Sequence, residues 1–263
     1  VVEGNEVYSS YQQPAAGGST STKKALANLS RSHPRLMLLD RKMVDLKKRR
    51  SSDKILSGLI NNTFRRANKY LNAPSMKYTA NGPAMLRVAH EAMKRSYTLG
   101  LAYRATKEKK YVKKLEENLL QVCSFKDWTP FHFLATAEMV HAVSIGYDWG
   151  FSGLSESAKV EIRKGLMRNG LNPGIKDIKS GKAAKWIKTD YNHNIVCSFG
   201  LVIGALAIAE YEPEIAERII DAARVHIKRP LSLYGPEGSW PEGPGYWTYA
   251  TEYMAYGFTV LQL

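Results

Sequence analysis

The sequence is poor in the features that mark several classes of protein. Its two cysteines, Cys123 and Cys197, are too few for a disulfide scaffold, and no Cys/His group around them has metal-binding spacing. We expect both to be buried free thiols, and we expect neither a metal ion nor another cofactor. No apolar run reaches the roughly 20 residues that cross a bilayer, because polar residues interrupt each candidate. The composition therefore excludes a small disulfide-rich protein and predicts no membrane span.

Acidic residues are also in short supply. Asp and Glu number 24 against 38 Lys and Arg, which leaves a net charge of +14. An excess of this size favours a polyanionic partner such as nucleic acid, anionic lipid or acidic polysaccharide, although a plain basic surface explains it equally well. The chain begins with VVEGNEV rather than with Met and a basic leader, so we expect a mature or trimmed form.

The chain is long enough for one large domain or two small ones. Its 263 residues are 44% hydrophobic, which is typical of a globular protein with a sizeable core. Residues 1–30 are rich in Ser, Gly, Thr, Gln and Ala, and we interpret them as a flexible N-terminal arm. Residues 31–263 then form the folded domain.

Helical periodicity runs through most of that domain. Leu86, Ala89, Met93 and Tyr97, for example, recur every three or four positions. No stretch shows the period of two that is typical of a half-buried strand. We therefore predict an all-α fold of consecutive antiparallel helices with short connections.

Two kinds of helix alternate along the chain. Segments 130–148 and 199–209 are apolar on most sides, whereas 156–168 and 214–228 are amphipathic. Apolar helices inside a layer of amphipathic ones are typical of an α/α toroid or an α-solenoid. The sequence has no stable repeat of about 34 residues, which favours the toroid.

Two helix boundaries are predicted from local signals. Thr129 followed by Pro130 combines a hydroxyl cap with a proline in the first turn, so a helix should begin there. Asn169–Gly170 is a favourable left-handed terminus, so the amphipathic helix before it should end there.

A polar cluster stands directly before the second apolar helix, in "DYNHNIVCSFG" (190–200). Asn192, His193 and Asn194 follow one another within it. Capping a helix requires only one such side chain, so the others are candidates for contact with a substrate.

A second segment, "YGPEGSWPEGPGYWTYATEY" (234–253), combines a Gly/Pro loop with many aromatic residues. Such a loop can hold aromatic and polar groups at fixed positions near a ligand. Flat aromatic faces beside hydrogen-bonding groups suit sugar rings, but packing of the loop against the domain explains most of these residues as well.

Together these segments resemble the heparinase II/III-like polysaccharide lyases. The resemblance is carried by "SHPRLMLLDRKMVDLKKR", "DWTPFHFLATAEMVHAVSIGYDW", "YNHNIVCSFGLVIGALAIAE" and "GPEGSWPEGPGYWTYATEYM", and it covers roughly residues 32–263. Its most specific parts are the "WPEGPGYW" loop and the Asn-rich segment. It implies an incomplete (α/α) toroid truncated at its C-terminal end, because the family's β-sandwich domain has no counterpart in this chain.

The resemblance also implies an activity, the cleavage of uronic-acid-containing polysaccharides by β-elimination. Asn192 and His193 match the residues that neutralise the uronate carboxylate, and a tyrosine of the later loop acts as base and acid. Tyr246 lies 54 positions after Asn192 (246 − 192) and Tyr249 lies 57 after it (249 − 192), so spacing does not separate them. We prefer Tyr246 as the base, because the Gly-Pro-Gly turn before it gives the backbone a defined exit from the loop.

The substrate implied is a glycosaminoglycan-like or alginate-like acidic glycan, and we expect a secreted or periplasmic protein without a nucleic-acid partner. The sequence leaves open the uronate, the role of sulfation and the oligomeric state. Further candidates for substrate contact are Asn194, Trp240, Glu242, Trp247 and Lys188.

Other functions remain open at this point. A non-catalytic domain that binds acidic glycans needs the basic and aromatic residues alone, and a helical scaffold for proteins or nucleic acid needs only the charge. A glycosidase needs two facing carboxylates, for which Glu242 and Asp190 are candidates.

Three further polar residues lie within the first apolar helix. We predict that His132 and His141 form hydrogen bonds in the core, with Glu138 as a buried partner of one of them. No constellation around His90 suggests a role for it.

Overall fold

The structure, a computed structural model, describes residues 20–180 and 185–262, and no strand occurs among them. The all-α prediction is therefore confirmed. No helix in these two ranges is long and apolar enough to cross a membrane. The α-helices are α1 (Thr20–Ala27), α2 (Asp40–Arg49), α3 (Lys54–Leu71), α4 (Gly82–Thr106), α5 (Lys109–Cys123), α6 (Leu134–Gly150), α7 (Glu156–Leu166), α8 (Asn172–Ser180), α9 (Asn192–Ala207), α10 (Pro213–His226), α11 (Lys228–Leu231) and α12 (Pro244–Leu261).

The helices form two layers. The inner helices α4, α6, α9 and α12 pack side by side in chain order, while α5, α7 and α10 pack behind them. Each outer helix returns the chain to the same end, so successive inner helices run in the same direction. Their first residues therefore gather at one end of the layer, which we call the mouth.

Apolar residues and glycines determine the close packing of the inner layer. Every residue of α6 after Leu134 is buried, as is every residue of α9 except His193. A methyl group on Gly200 would stand 2.7 Å from the backbone oxygen of Ala137, so only glycine permits this approach of α9 to α6. Both cysteines are buried free thiols, as predicted.

Both helix boundaries predicted from local signals are wrong. Thr129 and Phe133 adopt left-handed backbone conformations (φ 54° and 65°), so the chain turns twice before α6 begins at Leu134. Thr129 therefore does not cap a helix, and its backbone N–H instead donates to Asp127 over 2.9 Å.

The predicted end at Asn169–Gly170 is also absent, because the chain continues through a π-helical segment, Met167–Leu171, into α8. The Asn169 amide donates to the Phe125 carbonyl over 3.0 Å, and a methyl group on Gly170 would overlap Val140. These two residues serve packing against α6 rather than helix termination.

The predicted arm, residues 1–30, falls mostly outside the described residues. Its last part nevertheless forms α1, which packs on α10, and the Thr22 hydroxyl donates to Asp221 over 2.5 Å. Residues Thr20–Ala27 of the predicted flexible arm are therefore helical.

A buried polar cluster holds together the end of the inner layer that lies opposite the mouth. His33 lies 2.6 Å from Asp148 at the end of α6 and 3.1 Å from Glu210 just after α9. The backbone N–H groups of Arg35 and Leu36 also donate to Asp148, over 2.9 and 3.1 Å. The segment before α2 thus joins the ends of two inner helices.

Candidate functional site

The mouth is organised around the carboxylate of Glu242. Its Oε1 accepts from Asn192 Nδ2 and its Oε2 accepts from the Asn192 backbone N–H, both over 2.7 Å. Trp240 Nε1 donates to the same Oε2 over 3.0 Å. Asn192 and Trp240 are buried and Glu242 is half-buried. Glu242 therefore caps the first turn of α9 and fixes the loop before α12 against it.

This arrangement limits what Asn192 offers to a substrate. An amide nitrogen carries two hydrogens, and one of them is directed to Glu242. The second hydrogen has no partner among the described residues. The negative charge of Glu242 opposes a second carboxylate at the same amide, so Asn192 also has a structural role in holding the loop.

His193 stacks on His132 at the mouth, with ring centroids 4.7 Å apart. Its Nε2 lies 2.8 Å from the backbone oxygen of His132. Because a carbonyl can only accept, Nε2 carries the proton, and in the neutral ring Nδ1 keeps its lone pair. Burial and the neighbouring His132 lower the pKa of His193. The arrangement favours a neutral imidazole that can accept a proton at Nδ1.

Asn194, one position further, serves the local structure. Its Nδ2 donates to the carbonyl groups of Ile187 and Thr189 over 2.9 and 3.0 Å, and its Oδ1 accepts from Ser198 over 3.0 Å. These bonds use both amide hydrogens. They hold the short 3-10 helix Lys185–Lys188, and the side chain of Lys188 is exposed.

The first turn of α12 presents aromatic residues to solvent. Tyr246 is 54% exposed and Trp247 is 41% exposed. Trp247 Nε1 donates to the Gly238 carbonyl over 2.9 Å, which fixes the indole against the preceding loop. Both rings are therefore accessible at the mouth, and Tyr246 is only four positions beyond Glu242.

Tyr249 points instead into the protein. Its hydroxyl donates to Glu138 of α6, a buried carboxylate that also lies 3.3 Å from His90 Nε2. Burial and the charge of Glu138 raise the pKa of Tyr249 far above its usual value. At neutral pH Tyr249 therefore remains a phenol that donates to a carboxylate.

The polar contacts continue deeper along α6. His141 Nδ1 lies 3.2 Å from the Tyr253 hydroxyl, and its Nε2 lies 2.8 Å from the Tyr97 hydroxyl. Burial lowers the pKa of His141 to about 4, so its ring is neutral. The core role predicted for His141 is confirmed.

The predictions for the other polar residues of this region are wrong or incomplete. His132 is exposed and stacks at the mouth, because it precedes α6 in the turn. Glu138 contacts His90 and Tyr249, and the sequence suggested no role for His90. The sequence held one signal for these contacts: Glu138 is a carboxylate within an otherwise apolar helix, and a buried carboxylate requires a polar partner.

Three helix N-termini, those of α6, α9 and α12, meet at the mouth, and the carboxylate of Glu242 already occupies that of α9. Helix N-termini carry a partial positive charge with backbone N–H groups directed outward. Among the described residues, no group of His, Cys, Asp and Glu side chains is arranged to hold a metal ion.

Comparison with the models of known protein families gives no match, and no curated protein matches the chain.

Proposed function

We propose that this chain is the helical part of a polysaccharide lyase that cleaves uronic-acid-containing glycans by β-elimination. The observation that carries the proposal is the Asn192–Glu242 contact. It brings the Asn-His pair and the loop that leads to Tyr246 to one mouth. The alternation of inner and outer helices fits an incomplete α/α toroid, and a lyase of this kind would act in a secreted or periplasmic setting.

The reaction explains why these residue types are useful together. A base removes the proton at C5 of the uronate, the C4=C5 double bond forms, and the bond between C4 and the leaving oxygen breaks. The leaving oxygen then takes a proton. Negative charge grows on the uronate carboxylate during proton removal, so hydrogen-bond donors and helix N-termini nearby lower the barrier.

The proposed roles follow the geometry of each residue. Tyr246 is the preferred base because it is accessible, whereas the Tyr249 hydroxyl already donates to Glu138. His193 Nδ1 is the second candidate acceptor of the C5 proton, and the remaining hydrogen of Asn192 Nδ2 would donate to the uronate carboxylate against the repulsion of nearby Glu242. Trp247 and Lys188, both exposed, contact the sugar ring and its charge.

A non-catalytic acidic-glycan-binding domain is the alternative. The exposed faces of Tyr246 and Trp247 suit it equally well. Only product formation separates the two functions, since both require the glycan to bind.

The test is incubation of the protein with heparan sulfate, chondroitin sulfate and alginate, followed by the ultraviolet absorbance of the unsaturated uronate. We expect Tyr246→Phe and Asn192→Ala each to lower turnover by at least about 100-fold while binding is largely retained. Tyr191→Phe, which changes another exposed tyrosine next to Asn192, is the matched control.

Absence of any new absorbance with all three glycans would refute the lyase. Loss of turnover in Tyr249→Phe rather than in Tyr246→Phe would show that the base is assigned to the wrong tyrosine.

A further inference from the structure

A cavity borders the Glu138 contacts at His90. It has a volume of about 750 Å³ and lies between α3, α4 and α12. That volume is within the range of sites that hold a small ligand. None of the mouth residues lines it. The lining residues are Arg66, Lys69, Tyr70, His90, Met93, Lys94, Tyr97, Thr98, Glu252 and Tyr256.

The charges of this cavity are strongly unbalanced. Arg66, Lys69 and Lys94 line it, against the single carboxylate of Glu252. Within residues 20–180 and 185–262, no carboxylate forms an ion pair with any of these three cations. Elsewhere on the surface many cations are paired, as Lys164 is with Glu161 over 2.8 Å. Unpaired cations around a concave surface concentrate anions there.

Tyrosine rings complete the lining. Tyr97 and Tyr256 lie with ring centroids 6.5 Å apart, and Tyr70 extends from α3 on the opposite wall. The Tyr97 hydroxyl is bonded to His141, and the Arg95 guanidinium lies 5.6 Å over the Tyr70 ring. Aromatic faces suit the apolar faces of sugar rings. The lining thus combines aromatic rings with cationic groups.

His90 connects the cavity to the mouth. It lines the cavity, and its Nε2 also lies 3.3 Å from Glu138, to which Tyr249 donates. Tyr249 and Tyr246 belong to the same first two turns of α12. The side chains of His90, Glu138 and Tyr249 therefore form a continuous set of contacts from the cavity to the second turn of α12.

We infer that this cavity binds an acidic sugar residue, with its carboxylate or sulfate on Arg66, Lys69 and Lys94 and its ring against the tyrosines. The glycan as ligand rests on the proposed function. The location of the anion rests only on the cavity and its unpaired cations.

Calorimetry with alginate and heparan sulfate oligosaccharides of defined length tests the inference. The double variant Arg66→Glu/Lys69→Glu reverses two cavity cations. The matched control, Lys54→Glu/Arg65→Glu, makes the same charge change on the same helix at exposed residues that do not line the cavity. Circular dichroism verifies that both variants keep their helices.

We expect the cavity variant to lose at least about tenfold in affinity for the better-bound oligosaccharide, and the control to change by less than about threefold. The charge-preserving variant Arg66→Lys/Lys69→Arg should keep most of the affinity. Equal losses in both reversed variants, or none in either, would overturn the inference.

Two further arms identify the ligand and separate the two proposals. A neutral glucan oligosaccharide of the same length should not bind. Inorganic tripolyphosphate should compete only weakly with the acidic oligosaccharide. Strong competition would mean a plain anion site and would contradict the sugar assignment. If wild type binds through the cavity but forms no unsaturated product, the lyase fails and the cavity assignment stands.

Discussion

The carboxylate of Glu242 joins two segments that lie 50 positions apart in the chain. It accepts from the Asn192 side chain, the Asn192 backbone and the Trp240 indole. At the residue scale this single side chain determines the geometry of the mouth, because it fixes the loop before Tyr246 relative to α9. Removing it would leave three donors without their acceptor.

We therefore predict that Glu242→Ala lowers the free energy of unfolding by about 1–3 kcal/mol, the cost of leaving such donors unpaired. Urea unfolding followed by circular dichroism measures the change. Glu237→Ala is the control, since Glu237 is an exposed carboxylate of the same loop whose closest partner is Ser239 at 3.4 Å. Equal effects of the two substitutions would contradict the capping role of Glu242.

The sequence singled out several residues that lie at the mouth, but not their contacts, and it wrongly assigned His132 to the core. Asn192 and Glu242 were both candidates, yet spacing alone does not show that one holds the other. The Glu138–His90 contact could not be predicted for a similar reason, since the two residues lie on different helices. Such pairings depend on how the inner helices are placed side by side, which no local pattern encodes.

At the element scale, α12 is held to α9 through a glycine. Gly257 of α12 lies against the ring of Phe199, and a methyl group at this position would overlap the ring. Phe199 also packs edge-on against Phe258, with ring centroids 5.2 Å apart. The close approach of these helices positions the first turns of α12 at the mouth.

Gly257→Ala should therefore lower the free energy of unfolding by about 1–3 kcal/mol through overpacking. Gly58→Ala on α3 is the matched control, because no atom lies within 4 Å of the added methyl group. This control should raise stability by up to about 1 kcal/mol, since alanine favours a helix. Thermal or urea unfolding measures both, and stabilisation by Gly257→Ala would show that α12 does not pack as described.

Helix existence was easier to predict from the sequence than helix ends. Periodicity correctly indicated the apolar helices, but α6 begins four residues after Pro130 and the chain does not stop at Gly170. In both places tertiary packing overrides the local signal. Gly170 is needed for the approach of Val140, a contact that the local sequence does not reveal.

At the scale of the whole molecule, buried histidines make stability depend on pH. Burial lowers the pKa of His141 and of His226 to about 4. The pKa of His33 shifts in the opposite direction. Burial alone would lower this pKa, but the bonds to Asp148 and Glu210 raise it above its usual value. The contribution of His33 is therefore present below about pH 6.5 and is lost as pH rises through its folded pKa.

We predict that the free energy of unfolding falls as pH falls from about 6.5 to about 4. Over that range the unfolded chain binds protons at His141 and His226 that the folded chain does not bind. Urea unfolding at several pH values in this range gives the change in the free energy of unfolding per pH unit. In His226→Gln that change should be smaller than in the wild type by up to about 1.4 kcal/mol per pH unit. An unchanged slope in that variant would contradict a buried neutral His226.

The central claim, that this chain cleaves acidic glycans by elimination, is tested most directly by the fate of water oxygen. Glycan digestion in water enriched in the heavy oxygen isotope, followed by mass spectrometry of the new chain ends, separates elimination from hydrolysis. The account predicts unsaturated ends without the heavy isotope, because elimination breaks the bond between C4 and the leaving oxygen without adding water. Saturated ends that carry the isotope, or no new ends at all, would contradict it.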